Sequence, residues 1–217
     1  MYKLDPHIHS CYSPDSETKI EDIIKTAQEK NIEIIGISDH DTVEGSRIAR
    51  KLDTDVLIIP SIEISSRDGH ILGFGCSEKI EKNLPPAETI DMIHEQGGIA
   101  IIPHPFCFYR HGLLYNNDEH LKFDAVEVKN ARFIIGYCNR QAKNLSKKNK
   151  IPGLGSSDAH YHKFVGDCYT EIDAEKDIDS VLKSIKKNRV AAKGKGTSNI
   201  QLTKYLIENR VNNDFVE

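Results

Sequence analysis

The chain has no run of about 18 apolar residues, and its first residues lack the basic stretch and apolar core of an export signal. These absences predict a cytoplasmic protein with no membrane partner. Its five cysteines (Cys11, Cys76, Cys107, Cys138 and Cys168) are odd in number, widely spaced and without a CxxC pair. That pattern excludes a disulfide framework and a zinc ribbon, and predicts reduced thiols serving as small buried apolar residues. No GxGxxG follows the first apolar run, and GKGTS at 194–198 lacks both the spacing and the preceding strand of a P-loop. Nucleotide binding of either familiar glycine-rich type is therefore not expected. Tandem repeats and low-complexity linkers are missing too.

At 217 residues, with 38% hydrophobic and 29% charged content, the chain can bury a core without crosslinks. It reads as a single domain, 1–217, in which 175–217 forms a helical and strand extension packed on the main body. The net charge of −4 argues against a protein that coats nucleic acid. Two local strips run the other way: 140–150 holds five basic residues and 183–204 holds seven, neither with an acidic one. Such strips are ordinarily solvated helix faces, and gain interest only where a fold brings them to a site that handles phosphate.

Short β-branched runs alternate with amphipathic stretches. Strands are predicted at 2–8, 32–38, 56–65, 70–75, 99–103, 125–128, 152–156 and 168–172, and helices at 20–30, 43–52, 87–96 and 133–148. Ile20, Ile23, Ile24 and Ala27 mark the apolar face of the first helix. This order predicts an α/β fold of parallel strands joined by crossovers, as an open sheet or a closed barrel.

Histidines and carboxylates gather at the ends of the apolar runs. HIH at 7–9 places two imidazoles on one side of an extended strand, where they could share a metal. The next runs end in Asp39-His40-Asp41, Glu63, Pro103-His104-Pro105 and Ser157-Asp158-Ala159-His160. The C-terminal ends of parallel strands open on one rim, so separate segments would deliver these groups to one place.

The motifs HIH, SDHD (38–41), PHP (103–105) and SSDAH (156–160), with the Glu of SIEIS and the His of GHILGFG, resemble the polymerase and histidinol phosphatase (PHP) superfamily. The resemblance runs from residue 5 to about 172 and is closest to stand-alone metal-dependent phosphoesterases. It implies a distorted (β/α)7 barrel with two or three divalent ions (Zn, Mn or Fe). It further implies that His7, His9, Glu63 and Asp158 surround one metal, that Glu63 bridges to a second held by His70 and His104, and that Asp15, His40 and His160 hold a third. Asp39 and Asp41 read as supporting or capping residues, and His94, His111, His120 and His162 as surface or helix residues.

Three carboxylates cannot balance three divalent ions, which favours an anionic substrate. A metal-bridging hydroxide would attack phosphorus, with Glu63, Asp158 and His160 as the catalytic set and His160 or the third metal meeting the leaving oxygen. Arg110, Asn130 and Arg132 are expected at the substrate, and Phe106, Phe108 and Tyr109 offer stacking surfaces. The expected partner is a phosphorylated small molecule or short nucleic acid, with no obligate protein partner. Hydrolysis of nucleotides or oligonucleotide ends is the leading expectation. The alternatives are a sugar or histidinol-type phosphatase, and a metal-stabilised accessory or binding module without catalysis.

Overall fold

A computed structural model gives the architecture and describes residues 1–107, 110–113, 121–132 and 136–197. The chain runs β1 (Tyr2–Ile8), α1 (Ile20–Glu29), β2 (Ile34–Ile37), α2 (Glu44–Ala49), β3 (Leu57–Ser66), β4 (Gly69–Phe74), α3 (Pro86–Glu95) and β5 (Ile99–Ile102). It continues through β6 (Ala125–Asn130), α4 (Tyr137–Asn149), β7 (Gly153–Ser156), β8 (Cys168–Ile172), α5 (Ile178–Lys186) and β9 (Val190–Gly194). The nine strands form one sheet in the order β7-β6-β5-β4-β3-β2-β1-β8-β9. The sheet curls until β7 meets the opposite side: Gly155 N donates to Thr170 Oγ1 of β8, and Asp158 N donates to the His7 carbonyl, each at 2.9 Å. The result is a nearly closed α/β barrel. No helix among the described residues is long and apolar enough to cross a membrane.

One expectation needs correcting. Strands β1, β2 and β3 are parallel, as are β5, β6 and β7, but β4 runs antiparallel between β3 and β5, and β8 is antiparallel to both β1 and β9. The cause is connection length. Only Arg67 and Asp68 separate β3 from β4, and so short a link makes a hairpin, whereas a parallel crossover needs about a dozen residues or more.

Alternation along each strand divides the core. Ile35, Ile37 and Ile58 face outward and pack with Ile20, Ile23, Ile24 and Ala27 of α1; Ile62, Ile64, Ile71, Ala100 and Val126 face outward with Ile90 and Ile93 of α3. The intervening residues Leu4, Ile34, Ile59, Leu72, Phe74, Ile99, Ala125 and Leu154 fill the interior, joined by Val181 and Ile185 of α5. Helix α5 therefore closes the end of the barrel where most strands begin. Asp177 caps it by accepting from Ser180 N at 2.8 Å.

The same parity builds the other end. In β3, Ile59 is interior, so Glu63, four residues on, is interior one layer higher. In the reversed β4, Phe74 and Leu72 lie in the apolar layer and His70 stands at the top. In β6, Ala125 leads to Glu127. Strand β1 departs from strict alternation: its register with β2 shifts between Asp5 and Ile8, so Leu4 and the His7/His9 pair both face inward.

Candidate metal centre

Segments from β1 to the exit of β7 bring ionisable side chains together at this upper layer, where His7, His9, Glu63, His104 and Asp158 are each at most 1% exposed. Glu63 is the hub. Its Oε1 lies 3.0 Å from His70 Nδ1 and 3.0 Å from His104 Nε2, and its Oε2 lies 3.1 Å from His7 Nε2, 3.2 Å from His9 Nε2 and 3.5 Å from His40 Nε2. His7 Nε2 and His9 Nε2 approach each other to 2.9 Å. Asp158 Oδ1 stands 3.7 Å from both of these rings. On the outer side, Asp15 Oδ2 lies 2.7 Å from His160 Nε2 and 3.5 Å from His40 Nε2.

The surroundings decide which ring nitrogens face the centre. His7 Nδ1 donates to Glu127 Oε1 at 2.8 Å, which turns Nε2 inward. Ser13 gives its own proton to Asp15 and can accept from His9 Nδ1 at 3.2 Å, so His9 also aims Nε2 inward. His160 Nδ1 lies 3.1 Å from the Asp158 carbonyl and directs Nε2 to Asp15. Among the described residues, His104 Nδ1 and His40 Nδ1 are buried without a hydrogen-bond partner, so the polar contacts of these two rings lie on the Nε2 side.

Nitrogen lone pairs and carboxylates converging in a buried space demand positive charge. Without a metal, protons meet that demand. Burial alone would lower His7, but Asp158, Glu63 and Glu127 raise it well above its ordinary value. Burial likewise opposes the charge on His40, yet Glu63 and Asp15 push it up to about 9. His9 moves the other way, lowered by burial and by neighbouring His160. Burial disfavours ionised Glu63, but His7, His40 and His104 hold it well below the usual carboxylate range. Four overlapping donor groups result: His9, Asp15, His40, His160; His7, His9, Glu63; His7, His104, Asp158; and His40, Glu63, His70, each with its ligand atoms within 4.8 Å of one another. Mixed imidazole and carboxylate donors with no thiolate suit a divalent transition metal.

Residues 136–190 match the family model described as PHP-associated. The chain is 38% identical over 157 residues to an uncharacterized protein of Methanocaldococcus jannaschii, a match covering 65% of this chain and 90% of that one. Among solved structures, it resembles a two-domain protein of Bacteroides vulgatus containing a predicted PHP-like metal-dependent phosphoesterase, at TM-score 0.73 and 17% identity, over 89% of this chain and 65% of that one. The chain belongs to the PHP superfamily. Another neighbour in fold is the lesion-specific endonuclease of Pyrococcus furiosus, endonuclease Q, at TM-score 0.66 and 20% identity, over 86% of this chain and 56% of that one. The chain thus spans under two thirds of either solved protein.

All nine side chains expected around metals in this PHP chain, His7, His9, Asp15, His40, Glu63, His70, His104, Asp158 and His160, lie in that one cluster. Arg110 and Arg132 reach it from the rim: Arg110 Nη2 bonds Asp158 Oδ2, and Arg132 Nη1 stands 3.4 Å from Asp158 Oδ1 beside the His160 ring. Asn130, expected at the substrate, turns inward, its Nδ2 donating to Glu127 at 2.9 Å and to Asp158 at 2.8 Å. Asp39 accepts from Ser10 N and Oγ, and Asp41 from Ser65 N, which fixes the loop after β2. Of the other histidines, His94 pairs with Asp124 at 2.8 Å and His162 Nδ1 meets Thr26 Oγ1 at 3.2 Å. Phe108, Tyr109 and His120 lie outside the described residues. Cys76, Cys107 and Cys168 are buried as expected, whereas Cys11 is exposed and Cys138 half-buried.

Sequence reasoning missed Glu127. It receives His7, His104 N, Asn130 and Ser156, and is fully buried. Its signal was a carboxylate flanked by two valines in AVEVKN, two residues beyond inward-facing Ala125. Backbone strain also gathers here: Asp41, His104 and Asp158 take φ of 56°, 30° and 52° at the strand exits, a left-handed bend that turns the chain sharply at the rim.

Proposed function

We propose that the chain is a metal-dependent phosphoesterase acting on nucleotides or short oligonucleotide ends. The observation that carries this reading is the pair of guanidiniums, Arg110 and Arg132, converging on Asp158 at the mouth of a donor cluster built for cations. With two or three divalent ions in place, their positive charge and that of the two guanidiniums together exceed the negative charge of the four carboxylates Asp15, Glu63, Glu127 and Asp158. An anionic substrate supplies the balance.

Bound divalent cations would supply Lewis acidity and a water of lowered pKa. Among the chain's own groups, His7, His9, Glu63 and Asp158 hold the inner position, Glu63 shares its second oxygen with His70 and His104, and Asp15, His40 and His160 form the outer position. Arg110 and Arg132 present planar donors to phosphate oxygens and, already placed by Asp158, lose little freedom on binding. Asp15 is 45% exposed and marks the solvent side. The leaving oxygen therefore departs past Asp15 and His160, with the His160 ring positioned to meet its charge. The fold of neighbouring phosphoesterases and of endonuclease Q supports the reaction class.

The test is metal analysis of the purified protein with a panel of nucleotides, bisphosphates, histidinol phosphate and short oligonucleotides, for the wild type and His9→Ala. Divalent-dependent turnover that His9→Ala abolishes while its circular dichroism stays native is expected. Full metal occupancy with no turnover on any phosphoester would overturn the reading, and simple unfolding of His9→Ala would favour a metal-stabilised binding module.

A further inference from the structure

We infer that the outer face of α4 is a tracking surface for a single-stranded nucleic acid whose reacting phosphate lies at the metal centre; this rests on the phosphoesterase reading above. Between Glu127 and Asp158 the chain holds Lys129, Arg132, Arg140, Lys143, Lys147, Lys148 and Lys150 and no acidic residue, in a protein of net charge −4. The segment from the end of β6 through α4 to β7 is thus uniformly basic. On α4, Arg140, Lys143 and Lys147 are exposed at i, i+3 and i+7, a spacing that aligns them along one face. Tyr137, 60% exposed, stands one turn before Arg140.

Among the described residues, no carboxylate lies within ion-pair distance of Arg140, Lys143, Lys147, Lys148 or Lys150, and the same holds for Lys183, Lys187 and Arg189 of the other basic strip, whose Lys186 and Lys193 meet Asp124 at 3.8 Å and Glu171 at 3.2 Å. One feature separates the α4 strip from that other one: it starts at the centre. Asn139, in the first turn of α4, accepts from Asn130 N at 3.0 Å and donates to the Asn130 carbonyl at 3.1 Å, and the Asn130 side chain bonds Asp158. From there α4 leads away for about 20 Å at 1.5 Å per residue.

An aromatic ring followed by regularly spaced cations, anchored beside a phosphate-handling centre, is complementary to a flexible phosphate backbone with exposed bases. A mononucleotide would reach Arg110 and Arg132 and leave α4 unused. Lys183, Lys187 and Arg189 of the second basic strip lie on α5 and its exit, at the opposite end of the barrel, so they serve as the charge-matched control.

The experiment measures anisotropy of a fluorescein-labelled thymidine dodecamer with the metal-loaded protein across a salt series. It compares the wild type, the triple variant Arg140→Gln, Lys143→Gln, Lys147→Gln and the control Lys183→Gln, Lys187→Gln, Arg189→Gln, with turnover of bis(p-nitrophenyl) phosphate reporting on the centre. In the α4 variant we expect dodecamer affinity to fall at least tenfold. The slope of log affinity on log salt should shrink by about 2, since each phosphate neutralised on a single strand adds ~0.7 to it. Small-diester turnover stays at the wild-type level, and the control behaves as wild type. Equal dodecamer binding by the wild type and the α4 variant, equal weakening in the control, or α4-dependent binding to phosphatidylserine vesicles without α4-dependent oligonucleotide binding would overturn the inference. Weakened dodecamer binding in the α4 variant, where the wild type turns over no phosphoester, would sink the phosphoesterase reading and leave the surface standing.

Discussion

Glu127 shows how a residue outside the donor groups governs them. Its carboxylate fixes the tautomer and tilt of His7, receives His104 N and orients Asn130 on Asp158. Glu127→Gln keeps the shape but removes the charge that strengthens His7 as a donor. We expect metal affinity to drop by about 10–100-fold with the fold retained, read by competition against a chromogenic chelator. His40 gives a pH signature. Its folded value of about 9 lies above the ordinary 6.5, so the cation-free ring carries a proton at pH 7.5 that an incoming metal must displace. Affinity should therefore rise with pH until about 9, and metal binding should release protons. Titration calorimetry in buffers of different ionisation enthalpy checks this, with His40→Ala releasing about one proton fewer.

At the scale of elements, barrel closure depends on how near β7 lies to β8. A Cβ on Gly155 would stand 2.3 Å from the Tyr169 carbonyl oxygen, a backbone atom that cannot swing aside. Gly155→Ala should cost about 1–3 kcal/mol of stability through overpacking, read by urea denaturation. It should also lower metal affinity, because β7 delivers Asp158 and His160. Helix α1 was legible from the sequence because Ile20, Ile23, Ile24 and Ala27 carry a helical period and all four are buried. The direction of β4 was not. The apolar stretch GHILGF fits a strand running either way, and the deciding feature was the two-residue link at Arg67-Asp68.

Across the whole molecule, the donor cluster joins β1 to the chain's later strands, and ions bound there should contribute to stability by mass action. Ions at about 100 times their dissociation constant add ~2.7 kcal/mol, so chelation should lower the melting temperature by about 5–10 °C for a domain of this size. Differential scanning fluorimetry with and without a chelator checks it, and an unchanged midpoint would mean that the ions bind the native fold weakly or not at all. What the sequence by itself determined was the chemistry at each strand end and the periodicity of most elements. Those are local properties: a side chain's donor atoms, and the phase of apolar residues along a few turns or a strand. What only the tertiary structure decided was how these groups are brought together and which further residue supports them. The shift in β1 that turns His7 and His9 inward, the reversal of β4 that lifts His70 to the rim and the use of Glu127 beneath His7 depend on contacts between segments up to 120 residues apart. No local pattern encodes such a distance, because the free energy that fixes it comes from burying both segments together.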